Sequence, residues 1–504
     1  MTSISIVHWF AHLKQMWQPH FQPVLQPDRF EARLNLHELA QHETSLPRFV
    51  QESAVAMRYL HLLGPLAWDQ FPERDLLRNW GTPAEPHAPF VAACLVKLDH
   101  GLVYMSQLQQ YLNDNPALVW LLGFPLVAST EFSWGFDVKA SLPTHRHFTR
   151  MLRQVPQVSL QFLLNETVRL IQAELRTEMD NLGESVSLDT KHIIAWVKEN
   201  NPKAYVTHRY DKAQQPVGDP DCRLGCKRRH NNHRTASDPL PTPTHNPVPA
   251  NTLSVGEFYW GYASGVIATK VPDWGEFVLA ELTQPFNQSD VSYFFPLMAA
   301  TERRLGFRPK FAAFDAAFDA FYVYEYFHQK EQPGGFAAVP FSERGGHKRT
   351  FSENGLPLCG AGLPMPLKST FISKTTLVEH ERGRHVCPLL FPEPSGLACP
   401  CNHKQWPKGG CISTLPTSIG ARLRYQLDRD SDAYKNAYKQ RTANERVNSQ
   451  AVALGIERPK IRNGQAIINQ NTLIYVLINL RAMQRIRQHK TDKETLAAGT
   501  HESA

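Results

Sequence analysis

Tyr438-Lys439-Gln440-Arg441-Thr442-Ala443-Asn444-Glu445-Arg446 is the stretch from which the rest of the chain can be read. It lies in a run from Ala433 to Leu454 that is free of Gly and Pro, so one continuous helix is expected there. On a helix Tyr438, Arg441 and Glu445 stand at i, i+3 and i+7, within about 60° of one another. That face carries a phenol, a guanidinium and a carboxylate, flanked by Lys435, Lys439 and Arg446. A carboxylate set among cations suits a place where a metal ion and a polyanion meet. The same pattern also suits a solvated, mixed-charge face.

Upstream, the periodicity changes from helical to alternating at Ser185-Val186-Ser187-Leu188-Asp189-Thr190-Lys191, a short strand expected to end in Asp189. Glu257 to Lys270 and Glu276 to Thr283 read as an antiparallel pair around Pro272-Asp273. Ser289-Asp290 caps a helix that runs to about Leu305, and Lys310 to Phe314 is a buried strand ending at Asp315. A helix over Phe321 to Gln329 and a strand over Gly335 to Phe341 follow. Asp319 rivals Asp315 but falls past the strand, where helix capping accounts for it. A carboxylate at a strand end is well placed for a metal, because the sheet fixes its direction; it is also a common turn residue. The order of strands and helices is that of an RNase H-like sheet, within a mixed α+β and α/β chain.

The spacing Tyr-x2-Arg-x3-Glu at Tyr438, Arg441 and Glu445 resembles the signature of the DDE transposases of bacterial insertion sequences, the cut-and-paste group. The resemblance implies that Glu445 is the third metal-binding carboxylate beside Asp189 and Asp315, which lie far apart in the chain. It implies that Tyr438 and Arg441 contact the transposon end, with Lys439 and Arg446 alongside. That family has a Lys seven positions after the Glu; Val452 stands there in this chain. The chemistry implied is metal-dependent DNA strand cleavage and strand transfer at terminal inverted repeats. Two Mg²⁺ or Mn²⁺ ions would clamp the scissile phosphate, and no covalent protein–DNA intermediate would form. Partners implied are double-stranded DNA, as transposon ends and target, and a second copy of the chain in a homodimeric synaptic complex. The alternative is a catalytically decayed or regulatory DNA-binding protein of the same fold.

The chain of 504 residues divides into a helical N-terminal DNA-binding region (1–180), a first core segment (183–342) holding a Pro-rich loop (212–252), a Cys-rich insertion (343–420), C-terminal core helices (421–490) and a frayed tail (491–504). In the N-terminal region Val91 to Leu112 reads as one buried helix. Ser141-Leu142-Pro143-Thr144 precedes a basic helix with His145, Arg146, His147, Arg150 and Arg153, suited either to reading DNA or to the surface of a helical bundle.

Net charge is only +7, but Gly420 to Lys490 holds 14 Lys and Arg against 5 Asp and Glu, as expected of a polyanion-binding surface. The basic turn Arg458-Pro459-Lys460-Ile461-Arg462 belongs to it. No apolar run is long enough to span a membrane and no signal-peptide layout opens the chain, so a cytoplasmic protein is expected. Eight Cys in so long a chain do not suggest a disulfide scaffold. Two groups could hold Zn²⁺ or be inert, separately placed thiols: Cys222 and Cys226 with the tightly spaced His230 and His233, and Cys387, Cys399, Cys401 and Cys411, with Cys359 standing apart.

Overall fold

In a computed structural model, the structure describes residues 34–75, 85–179, 181–228, 256–328, 333–342, 348–374, 377–401 and 404–501. The opening 33 residues, most of the Pro-rich loop with His230 and His233, and His403 lie outside them.

The N-terminal region is helical, as its patterning predicts: α1 (Leu36–Gln41), α2 (Ala54–Leu63), α3 (Ala88–Asp99), α4 (Met105–Asn113), α5 (Pro116–Leu121), α6 (His145–Gln154) and α7 (Gln157–Leu175). The helix expected over Val91 to Leu112 is two helices. Gly101 takes φ +70°, which ends the α-helical path after α3, and the chain restarts at α4 with Gln107 reaching back to the Tyr104 amide. The basic helix α6 buries Phe148, Met151 and Leu152, leaving His145, Arg146, Arg150 and Arg153 exposed.

Six strands form the main sheet: β1 (Ser185–Ile194), β2 (Arg223–Arg228), β3 (Gly256–Val271), β4 (Gly275–Pro285), β5 (Phe311–Ala313) and β6 (Phe336–Ala338). The expected hairpin is present, its turn made by Asp273 and Gly275, both at positive φ. Across the sheet the order is β4-β3-β1-β5-β6, with β2 pairing the start of β3. β3 runs antiparallel to β4 and β1, whereas β1, β5 and β6 are parallel. Alternation along β1 sends Val186 and Leu188 to a core with Phe294, Leu297 and Phe314, among them residues of α8 (Phe294–Leu305). The opposite face of the sheet joins the larger core shared with the N-terminal helices.

After α9 (Phe321–Phe327) and β6, the insertion forms a separate three-stranded antiparallel sheet of β7 (Leu367–Ser373), β8 (His380–Val386) and β9 (Ile412–Pro416), in the order β9-β8-β7. The chain returns through α10 (Ile419–Gln426), α11 (Asp432–Tyr438), α12 (Arg441–Ala453) and α13 (Gly464–His501). The tail expected to fray from residue 491 instead continues α13 to His501.

Helix α13 is pinned by asparagines rather than by apolar contact alone. Asn479 pairs its amide with both the N–H and the carbonyl of Val278, each at 2.8 Å, and so occupies backbone groups of β4. Asn469 donates to the carbonyls of Leu152 and Val155 at the end of α6. Buried Glu281 of β4 accepts from Thr472 of α13 and from Gln157 and Gln161 of α7. These bonds tie the N-terminal region, the sheet and α13 into one unit.

Candidate active site

Asp189 lies in the middle of β1, not at its end, because β1 runs on to Ile194 against β3. Its parallel neighbour β5 is short, and this is what opens the site. Ser187 is level with Ala313. Asp189 lies two residues further along β1 and Asp315 two residues past the end of β5, so the two carboxylates come within electrostatic reach of one another. Asp315 accepts from the Ala317 amide at 2.9 Å and caps a single 3₁₀ turn, so its carboxylate has a fixed origin. Asp319 does not cap a helix. Its side chain is fully buried, paired with Arg424 through both oxygens, and accepts from Tyr324 and the Ser342 amide.

The helical run of 433–454 is broken. α11 ends at Tyr438 and α12 begins at Arg441, with Lys439 and Gln440 between them still at right-handed helical angles and the Gln440 side chain paired with the backbone N–H and carbonyl of Lys270 on β3. The break nevertheless keeps Tyr438 with Arg441, whose guanidinium donates to the phenol oxygen at 3.1 Å. Tyr434 stacks on Tyr438 at 5.8 Å between centroids.

Burial holds the Asp189 carboxyl up at about 6, with the Asp315 and Asp290 charges adding to the rise and the Thr190 amide and Arg441 opposing it. Asp315 is raised for the same first reason, burial, with Asp290 raising it further and Arg441 opposing. Arg441 therefore faces two carboxylates, and Asp290 is a third. Asp290 accepts from the Thr190 hydroxyl at 2.9 Å, a contact that sequence reasoning missed because the residue reads as a helix cap. Asn448, one turn past Glu445, donates to Asp189 at 3.1 Å. Asn444 is fully buried, and among the described residues neither of its amide atoms has a partner; the Asn448 oxygen has none either.

Glu445 is exposed. On α12 it stands about 40° from Arg441 and about 60° from Asn448, on the flank that borders the Asp pair but turned toward solvent. The structure thus brings Asp189, Asp315 and Asp290 together and leaves Glu445 at the rim. Among the described residues no three His, Cys, Asp or Glu already stand as a metal-ligand group. Arg446 pairs with Glu276 of β4 at 2.7 Å while its side chain stays exposed, and Lys439 is exposed and donates to Asn436. Val452, also partly exposed, lies on the same flank as Arg441 and Glu445.

Beside the C-terminal end of β1 a cleft of about 460 Å³ is lined by Trp196, Lys198, Asn201, Arg458, Lys460 and Arg462. The half-exposed Trp196 ring carries Arg462 at 4.7 Å and Lys460 at 5.8 Å. An aromatic face among cations is a surface that suits nucleic acid.

The zinc reading of Cys222 and Cys226 fails. The two lie four residues apart along extended chain, roughly 13 Å, whereas thiolates on one ion are held within about 4 Å. Cys222 is fully buried, and its thiol donates to the Asp219 carbonyl. In the insertion, Cys411 is pushed up to about 12 by burial and by the neighbouring Cys387 and Cys359 thiols.

No protein-family model matches this chain, and no curated protein or solved structure matches it. No described helix is long and apolar enough to cross a membrane.

Proposed function

We propose that the chain is a DDE transposase that cleaves and joins DNA at the ends of an insertion sequence, acting as a homodimer on double-stranded DNA. The observation that carries this reading is the meeting of Asp189, on β1, with Asp315, just past the end of the parallel strand β5, with Arg441 and Asn448 of α12 turned to the pair and Glu445 at the rim. The order β4-β3-β1-β5-β6, with β1 antiparallel to β3 and parallel to β5, supports an RNase H-like core.

The residues suit Mg²⁺ or Mn²⁺. Clustered carboxylates held above their ordinary range gain from a divalent cation, and hard oxygen donors suit these ions. Asp189 and Asp315 would hold the metal, with Glu445 reaching in from the rim and Asp290 steadying Thr190 behind it. When bound, the ions would activate the attacking oxygen and stabilise the departing one. The protein's own part is to orient. Tyr438 fixes the Arg441 guanidinium, which is aimed at the carboxylate pair and positioned to take a phosphate of the DNA end. The Trp196 cleft and the exposed cations of α6 extend the surface on which DNA would lie.

A DNA-binding regulator of the same fold without cleavage is favoured by one observation, the solvent-facing Glu445 with Val452 beside it. One experiment separates the two. Duplexes taken from the DNA flanking the coding sequence are offered to the wild type, Glu445→Gln and Arg441→Ala, with and without Mg²⁺. Glu445→Gln should lose cleavage by orders of magnitude and keep binding. Arg441→Ala should lose about 1.5–3 kcal/mol of binding, with a shallower salt dependence. Binding without Mg²⁺-dependent cleavage by the wild type would favour the regulator, and no binding would overturn both.

A further inference from the structure

The insertion has very little core. Among its described residues the buried hydrophobic side chains are Met365, Val386, Cys387 and Leu415, while Phe371, Ile372, Leu397 and Ile412 are exposed. A module so poor in buried apolar area needs a cross-link to hold one conformation. Its sequence offers five cysteines.

The chain brings four of them together from four separate segments. Val386 of β8 is level with Ile412 of β9, so the next antiparallel pair is Cys387 opposite Cys411, with Cβ atoms about 4.5–5.5 Å apart. The two thiols are hydrogen-bonded, and Cys359 lies within electrostatic reach of Cys411. Cys359 opens a tight loop in which the Gly362 amide returns to the Cys359 carbonyl and the Cys359 amide bonds the Leu363 carbonyl. A Cβ placed on the adjoining Gly360 would sit 3.6 Å from the Cys401 sulfur, which brings the fourth thiol to the same loop. Gly410 has φ +81°, and a Cβ there would stand 2.6 Å from the Cys387 Cβ. Glycine therefore lets the backbone before Cys411 press onto Cys387.

We propose that Cys359, Cys387, Cys401 and Cys411 bind a structural zinc ion that clamps the loops of the insertion. The set differs from the one that spacing suggests: Cys359 replaces Cys399. Four thiols with no oxygen ligand suit Zn²⁺ and disfavour Mg²⁺, Ca²⁺ and Mn²⁺, in a closed tetrahedral site without an open position for catalysis. Among the described residues no three of them yet stand as a ligand set, so zinc binding would require the side chains to draw together. Binding converts four S–H groups to thiolates and releases four protons to solvent, with no change of oxidation state.

Full-length protein purified without chelator should contain about one zinc per chain by elemental analysis. Cys359→Ser, Cys387→Ser, Cys401→Ser and Cys411→Ser should each lose most of it, whereas Cys399→Ser and Cys222→Ser should keep it. Because a ligand variant can fail to fold, the wild type is also exchanged with Co²⁺, whose absorption should show the intense bands of a four-thiolate tetrahedral site. Zinc-free wild type that gives no such Co²⁺ spectrum, a Cys387–Cys411 disulfide in freshly purified protein, or zinc retained in the Cys359 variant would each overturn the proposal.

Discussion

Asn448 donates from Nδ2 to Oδ2 of Asp189 at 3.1 Å, joining a helix to the central strand across 259 positions of sequence. The bond favours the ionised carboxylate in a place where burial opposes ionisation. It also fixes the side of α12 that faces the carboxylate pair, and so the positions of Arg441 and Glu445.

Asn448→Leu removes that donor while keeping a side chain of similar size. Asp189 should then hold its proton to higher pH than the value of about 6 set by its present surroundings. A hydrogen bond to a charged group contributes about 1.5–3 kcal/mol, so the rise should be of the order of one pH unit or more. Thermal shift with Mg²⁺ across a pH series measures it. A midpoint equal to that of the wild type would mean the bond does not stabilise the carboxylate.

Asp189→Asn should stabilise the metal-free protein at neutral pH. The folded carboxyl titrates near 6, above its ordinary 3.8. Between about 4 and 6 the folded chain therefore keeps a proton that the unfolded chain has lost. Stability falls as pH rises through that window, and the full penalty is present above it. The asparagine escapes the penalty, so at pH 7.5 the variant should gain on the order of 2–3 kcal/mol, while at pH 3.5 the gain disappears. Urea unfolding at the two pH values tests the sign. Mg²⁺ should raise the wild-type midpoint and leave the variant where it is.

Asp319→Ala should destabilise the fold without acting on metal binding. It strips a nearly buried Arg424 of both its carboxylate contacts and leaves the Ser342 amide and Tyr324 hydroxyl without their acceptor. Breaking such a pair from one side costs about 3–5 kcal/mol. The urea midpoint should fall accordingly, and the increment in stability on adding Mg²⁺ should match the wild type. A lost Mg²⁺ increment would move Asp319 into the site in place of Asp315.

The strands were legible because their signal is local. Ser185 to Lys191 alternates, and the two long strands flank a turn whose Asp273 and Gly275 demand positive φ. Asp189 and Asp315 could be picked out on that basis, although the end of β1 could not, since β3 carries it five residues beyond Asp189. The pairing of Gln440 with Lys270 beside the interruption between Tyr438 and Arg441 could not be read from the sequence, since the two lie 170 positions apart. The ion pair of Arg446 with Glu276 is equally remote in sequence. Asp290 and Asn448 enter through strand register and helix placement, which no spacing encodes. Cys359 is the parallel case in the insertion, brought to Cys411 by folding and not by proximity in the chain.

The ion pair of Asp319 and Arg424 also determines how the insertion is attached. Ser342, where the chain departs, donates to Asp319 and accepts from Arg424, which lies just after its return. Gly420 packs so closely on α9 that a Cβ would stand 2.1 Å from the Phe321 carbonyl. The two ends of the excursion are thus fastened to one another by groups belonging to the core. For a flexible connection, each doubling in length between fixed ends costs only about 0.6 kcal/mol. The closure of the excursion is therefore held by core groups, so a change of length within it should cost the sheet carrying Asp189 and Asp315 little.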